Sequence, residues 1–174
     1  LPKDSTLLFL SRGVEILDVR LPMHRYATLW VDAPQVPAEL QRHVVLASLS
    51  PKEKLRYEGG KWSDGRIRLR TRSLGTFFVV ADTVRPTIRP HFSAHDLSGQ
   101  RSVSFSVDDN FSGVSVISCH IDGRMAILEE NRVKGTVTHH FDDEIFGRHK
   151  EHTLRLTAAD GAGNSCVWEG SYYR

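Results

Sequence analysis

With 23 Lys and Arg against 21 Asp and Glu over 174 residues, the chain is neither a polycation nor an acidic tail. An apolar fraction of 40 % is enough for a folded core and excludes disorder on composition. Two cysteines, Cys119 and Cys166, without a Cys-x-x-Cys exclude a disulfide framework and a cysteine-based structural zinc site.

No stretch is long and apolar enough to span a bilayer, and no signal peptide is read at the start. The chain opens on Leu-Pro-Lys-Asp and not on Met, so residues upstream are expected, a catalytic domain among them. Helical periodicity is nearly absent, and Pro37–His43 offers one or two turns at most. Strand-like segments recur between Gly, Asp, Asn and Ser clusters, which predicts an all-β fold.

In the first half, strands are expected near Thr6–Leu10, Thr28–Asp32, Val44–Leu49, Arg66–Arg72 and Thr76–Ala81. Gly59-Gly60 and Asp64-Gly65 are tight-turn signals, leaving Lys61-Trp62 as a very short strand or an aromatic plug. Arg66–Arg72 and Thr76–Ala81 read as a hairpin around Ser73-Leu74-Gly75. The two prolines of Asp82–Pro90 make a stiff extended connector. It separates a β-sandwich-like domain at 1–83 from an immunoglobulin-like β-sandwich at 86–174. Seven strands are expected in the second domain, near Thr87–Phe92, Ser102–Val107, Val114–Ile121, Met125–Glu129, Val133–Phe141, His152–Ala158 and Cys166–Tyr173. In that topology the loops Asp109–Gly113 and Asp160–Asn164 fall at one end of the sandwich.

Two sets of residues carry candidate binding chemistry. Arg66, Arg68, Arg70 and Arg72 alternate, so all four project from one face of a strand. A solvated sheet face is the default reading, and contact with an anionic polymer is the sharper one. Nucleic acid is disfavoured, because no recognition helix or interleaved aromatic platform accompanies the arginines. Asp108, Asp109, Asp160 and Asn164 gather oxygen donors of the type calcium takes. Asx-turns, in which such side chains bond their own backbone, are the default for them.

The remaining chemistry reads as structural. No catalytic residue is assigned, since neither a Gly-x-Ser-x-Gly elbow nor an HExxH or His-x-His pair occurs. His91 and His95 fall on a strand end and loop; His139 and His140 point to opposite faces; His149 and His152 straddle a turn. Cys119 shares an apolar register with Ile117 and Ile121, and Cys166 with Trp168. With the sixth strand between theirs, the two thiols are expected to be free. Trp62, Trp168, Tyr172 and Tyr173 are candidate glycan contacts, although Trp168 and Tyr172 share the inward face of the last strand.

Three segments carry a family resemblance: Gly59-Gly-Lys-Trp-Ser-Asp-Gly65, then Gly75–Ile88, then Asp108–Val114 with Ile121-Asp-Gly123. Leu154–Asn164 completes the set. This order resembles the carboxy-terminal region of exported Bacteroidetes-type proteins, in which a lysostaphin-type zinc peptidase domain precedes such β domains. The catalytic His/Asp pair and His-x-His of that class have no counterpart here, so no catalytic role or zinc is carried over. The resemblance implies an accessory region of a peptidoglycan metallopeptidase, at the periplasm, outer membrane or cell surface. Its partners would be the upstream catalytic domain, with any zinc located there, and a cell-wall polymer. The alternative is a stand-alone adhesion or glycan-binding module.

Overall fold

The computed structural model describes residue 2, residues 4–16 and residues 23–174. The chain divides into two compact units. The first holds Leu1–Val84 with two short stretches, Asn110–Ser112 and Gly161–Gly163. The second holds Arg85–Asp109, Gly113–Asp160 and Asn164–Arg174. Both are β-sandwiches, and the fold is nearly all β.

In the first unit, β1 (Leu7–Phe9), β2 (Val14–Ile16), β4 (Val44–Leu49), β5 (Leu55–Gly59) and β8 (Gly75–Asp82) make one sheet. Its order is β1-β8-β4-β5, with β2 also paired to β8. The second sheet is β3 (Ala27–Asp32), β7 (Arg66–Thr71) and β6 (Lys61–Ser63), ordered β3-β7-β6. Between the sheets lie Val31, Leu46, Ile67, Leu69, Phe77 and Val79. β4 and β8 read as nearly continuous apolar runs because their sheet is covered on both faces. The other face carries Leu7, Val45, Ala47, Phe78 and Val80, together with Ala162.

The expected hairpin of Arg66–Arg72 with Thr76–Ala81 does not form. β7 pairs with β3 and β6, whereas β8 pairs with β1, β2 and β4. The chain changes sheet at Ser73-Leu74, where the Thr71 hydroxyl accepts from the Ser73 amide at 2.9 Å. The cause is burial. Ile67 and Leu69 enter the core from one sheet, and Phe77 and Val79 enter it from the other. Strands β2 and β5 lie outside the expected set; both are short, and neither has a fully buried residue. Pro37–His43 contains a 3-10 helix at Ala38–His43.

The second unit packs two four-stranded antiparallel sheets. One is β13 (Glu129–Asn131), β14 (Thr136–His140), β10 (Ser102–Asp108) and β9 (Thr87–Pro90), in that order. The other is β12 (Arg124–Ala126), β11 (Val114–Ile121), β15 (Glu151–Asp160) and β16 (Ser165–Tyr173). Val103, Phe105 and Val107 from β10 meet Leu154, Leu156 and Ala158 from β15 in the core. There are eight strands, not seven, because Met125–Glu129 splits into β12 and β13, one in each sheet. The break falls at Ile127, whose carbonyl accepts from the buried His139 Nδ1 at 2.9 Å. One short helix, α1 (Asp143–Phe146), is capped by the Asp142 carboxylate, which accepts from the amides of Glu144 and Ile145.

Candidate anion-binding face

β7 is a strict alternation, with Ile67, Leu69 and Thr71 buried and Arg66, Arg68 and Arg70 exposed. Two-residue turn chemistry sets its start: Asp64 and Gly65 both take positive φ, 49° and 77°. The register then decides what stands beside each arginine, since directly opposed residues share a face. Lys61, Arg68 and Trp30 form one row across the sheet, and Ser63, Arg66 and Asp32 the next. Arg70 faces Thr28.

Two aromatic rings interleave with the four guanidiniums. Those of Arg66 and Arg68 lie 5.8 and 5.7 Å from the Trp30 ring centroid. Those of Arg70 and Arg72 lie 4.7 and 5.5 Å from that of Tyr26. Both rings are more than half exposed, Trp30 at 51 % and Tyr26 at 57 %, so this is surface and not core. Arg72 Nε also donates to the Met23 carbonyl at 3.2 Å. Among the described residues, the carboxylate paired with the row is Asp32, 3.5 Å from Arg66 Nε.

The arrangement corrects one premise drawn from sequence. An interleaved aromatic platform does accompany the arginines. Trp30 and Tyr26 went unnoticed because they lie some forty residues upstream, and only the β3–β7 register brings them alongside. Chemically, each contact of guanidinium with ring is worth about 0.5–1 kcal/mol at an exposed site. Its larger effect is on order, because it holds a flexible cation extended with its donor fork ready for a carboxylate or phosphate.

The second candidate set is only partly assembled. Asp109 and Asp160 bring carboxylate oxygens within 4.8 Å of each other, so their two loops do meet at one end of the second unit. Asp108 is exposed at the end of β10 and stands outside that pair. The buried Asp160 accepts from the Asn164 amide at 2.8 Å and from its side-chain Nδ2 at 2.7 Å. Asp109 Oδ2 accepts from the Gly113 amide at 2.7 Å. Both aspartates thus close their own loops, as Asx-type residues do.

The other expectations fall into place individually. His91 meets the Ser106 hydroxyl, His95 meets Glu151, and His140 meets Glu129, so these rings do not converge. The buried His152 ring bonds Asp122 at 2.8 Å. Burial opposes the Asp122 charge, yet hydrogen bonds from the Thr153 amide and His152 hold its carboxyl below the ordinary value. Cys119 and Cys166 are free, and burial pushes the Cys119 thiol up to about 11, far from a nucleophile. β15 separates their strands as expected, with Cys119 opposite Leu156 and Cys166 opposite Ala158. Trp168 stacks edge-on against Phe92 and Phe105 in the core, and Tyr172 is buried. Trp62 is half-buried against the first unit's core.

Residues 3–82 match the family model of a Zu5-like domain. The arginine face lies wholly within this matched stretch. Among solved structures, one of fibronectin(III)-like modules of Clostridium thermocellum CbhA is similar at 12 % identity, with a TM-score of 0.40. It covers 93 % of this chain and 93 % of that one. No curated protein matches the chain.

Proposed function

We propose that this chain is a non-catalytic accessory region that holds a larger exported protein against an anionic polymer of the cell envelope. The observation that supports this reading is the outward row Arg66, Arg68, Arg70 and Arg72, ordered by Trp30 and Tyr26. Three side chains of catalytic type have structural contacts that fit this reading. Asp160 closes a turn, His152 bonds Asp122, and the Cys119 thiol is packed in the core. The segments resembling the carboxy-terminal region of lysostaphin-type peptidases extend the reading to peptidoglycan. In that context a preceding domain supplies zinc and hydrolysis, and this region places it on its substrate. A stand-alone adhesion or glycan-binding module is the second reading, favoured by the exposure of Trp30 and Tyr26.

The test uses the full-length protein with all four arginines changed to Gln. Hydrolysis of intact cell wall is expected to fall, and hydrolysis of a soluble stem-peptide fragment to stay unchanged. Equal loss on both substrates would contradict a tethering role. The gene upstream of Leu1 separates the two readings: a domain bearing His-x-His supports the first, and further immunoglobulin-like repeats support the second.

A further inference from the structure

We infer that the β3–β7–β6 face binds a linear acidic polysaccharide laid along β7, with the carboxylates of uronate residues received by Arg68, Arg70 and Arg72. The inference deepens the tethering role by naming the chemistry of its ligand. Alternate residues on a strand are about 6.6–6.8 Å apart, so Arg66, Arg68 and Arg70 form a row about 13 Å long on β7, and Arg72 follows at the bend after it. A flat row of that length suits an extended polymer better than a compact anion.

Among the described residues, most of the face carries like charges side by side. Lys61 stands directly opposite Arg68, a like-charge cross-strand pair of the kind that destabilises a sheet. A purely solvated face mixes its signs. Here the acids gather at one end, where Asp32 pairs Arg66 and Asp64 sits in the turn beside Ser63. Bound carboxylates relieve the repulsion over the rest of the row. The acidic end also fixes the site, since it repels the polymer at Arg66 and leaves Arg68, Arg70 and Arg72 as the main contacts.

One feature favours a polysaccharide over single-stranded nucleic acid. The hydroxyl groups of Thr28 and Ser63 lie on the same face, opposite Arg70 and Arg66, and suit sugar hydroxyls. Trp30 and Tyr26 are positioning residues that keep the forks extended.

The experiment titrates the purified chain with polygalacturonate, inorganic polyphosphate, oligo-dT and neutral dextran at matched ionic strength. Polygalacturonate is expected to bind most tightly and dextran not at all. Arg68→Gln/Arg70→Gln/Arg72→Gln together should weaken binding about tenfold or more, taking exposed charge contacts at their usual worth. The steepness of its salt dependence should fall as well, because fewer counterions are released. Trp30→Ala should weaken binding only about two- to threefold and leave the salt dependence unchanged, since all charges remain. All of these positions are on the surface, and an unchanged melting temperature confirms intact folding. Tighter binding of oligo-dT or polyphosphate would overturn the polymer class. Equal binding of dextran, or no effect of the triple variant, would overturn the site. The tethering role fails separately: polygalacturonate binding with wall hydrolysis unaffected by the arginine changes would keep this site and remove that role.

Discussion

His139 illustrates how one side chain carries a topological decision. Its Nδ1 donates to Ile127 at the point where the chain leaves one sheet for the other, and burial holds the ring below the ordinary histidine value. Because the folded ring resists protonation and the unfolded one does not, the unfolded chain binds more protons just below the usual value of about 6.5. The contribution of His139 is therefore complete above that pH and is lost as pH falls below it. Urea unfolding of wild type and His139→Gln across pH 7.5 to 5 checks this: the difference between the two should shrink toward the acid end. Asp160 is the second such residue. It accepts two hydrogen bonds from Asn164 while almost fully buried, and losing a bond to a charged acceptor costs about 1.5–3 kcal/mol. Asp160→Ala should lower the urea midpoint of the second unit accordingly, and an unchanged midpoint would show that the turn is closed by other contacts. That role was legible, because an Asp followed by Gly-Ala-Gly-Asn at the end of an apolar alternation can do little else locally.

At the level of elements, β7 shows both what alternation reveals and what it conceals. The inward and outward residues of Arg66–Thr71 followed directly from the sequence, and so did the burial of Val103, Phe105 and Val107 on β10. Strand partners did not follow, because pairing is set by which faces need covering and that is a property of the whole unit. Hence sequence pairs β8 with β7, its neighbour along the chain, and does not reveal the aromatic partners Trp30 on β3 and Tyr26 just before it. The short edge strands β12 and β13 were merged for the same reason. One glycine tests the packing of β7. Gly60 sits at φ +120°, and a Cβ there would lie 2.7 Å from Ile67 Cδ1, with Ile67 fully buried. Gly60→Ala should destabilise the first unit by about 1–3 kcal/mol, measured by denaturant unfolding. It should also weaken polymer binding, since Ile67 and Arg68 are adjacent on the strand. Wild-type stability in this variant would mean that β6 and β7 are loosely packed.

For the whole molecule, each unit has a core of its own. The cluster built on Phe105, Ile121, Leu154 and Leu156 draws every member from the second unit. Residues 86–174 are therefore expected to unfold cooperatively when expressed alone, followed by thermal melting; a broad non-cooperative trace would contradict this. The all-β class was legible from turn spacing alone, whereas the candidate face was half legible. Its arginines lie together in sequence, but its rings and its acidic end are placed by register. The most direct measurement of the central claim is co-sedimentation of the purified chain with isolated cell-wall sacculi over a salt series. The account predicts that wild type pellets at low salt, is released as salt rises, and stays in solution when Arg68, Arg70 and Arg72 are all Gln. Equal pelleting of wild type and variant at every salt concentration would contradict it.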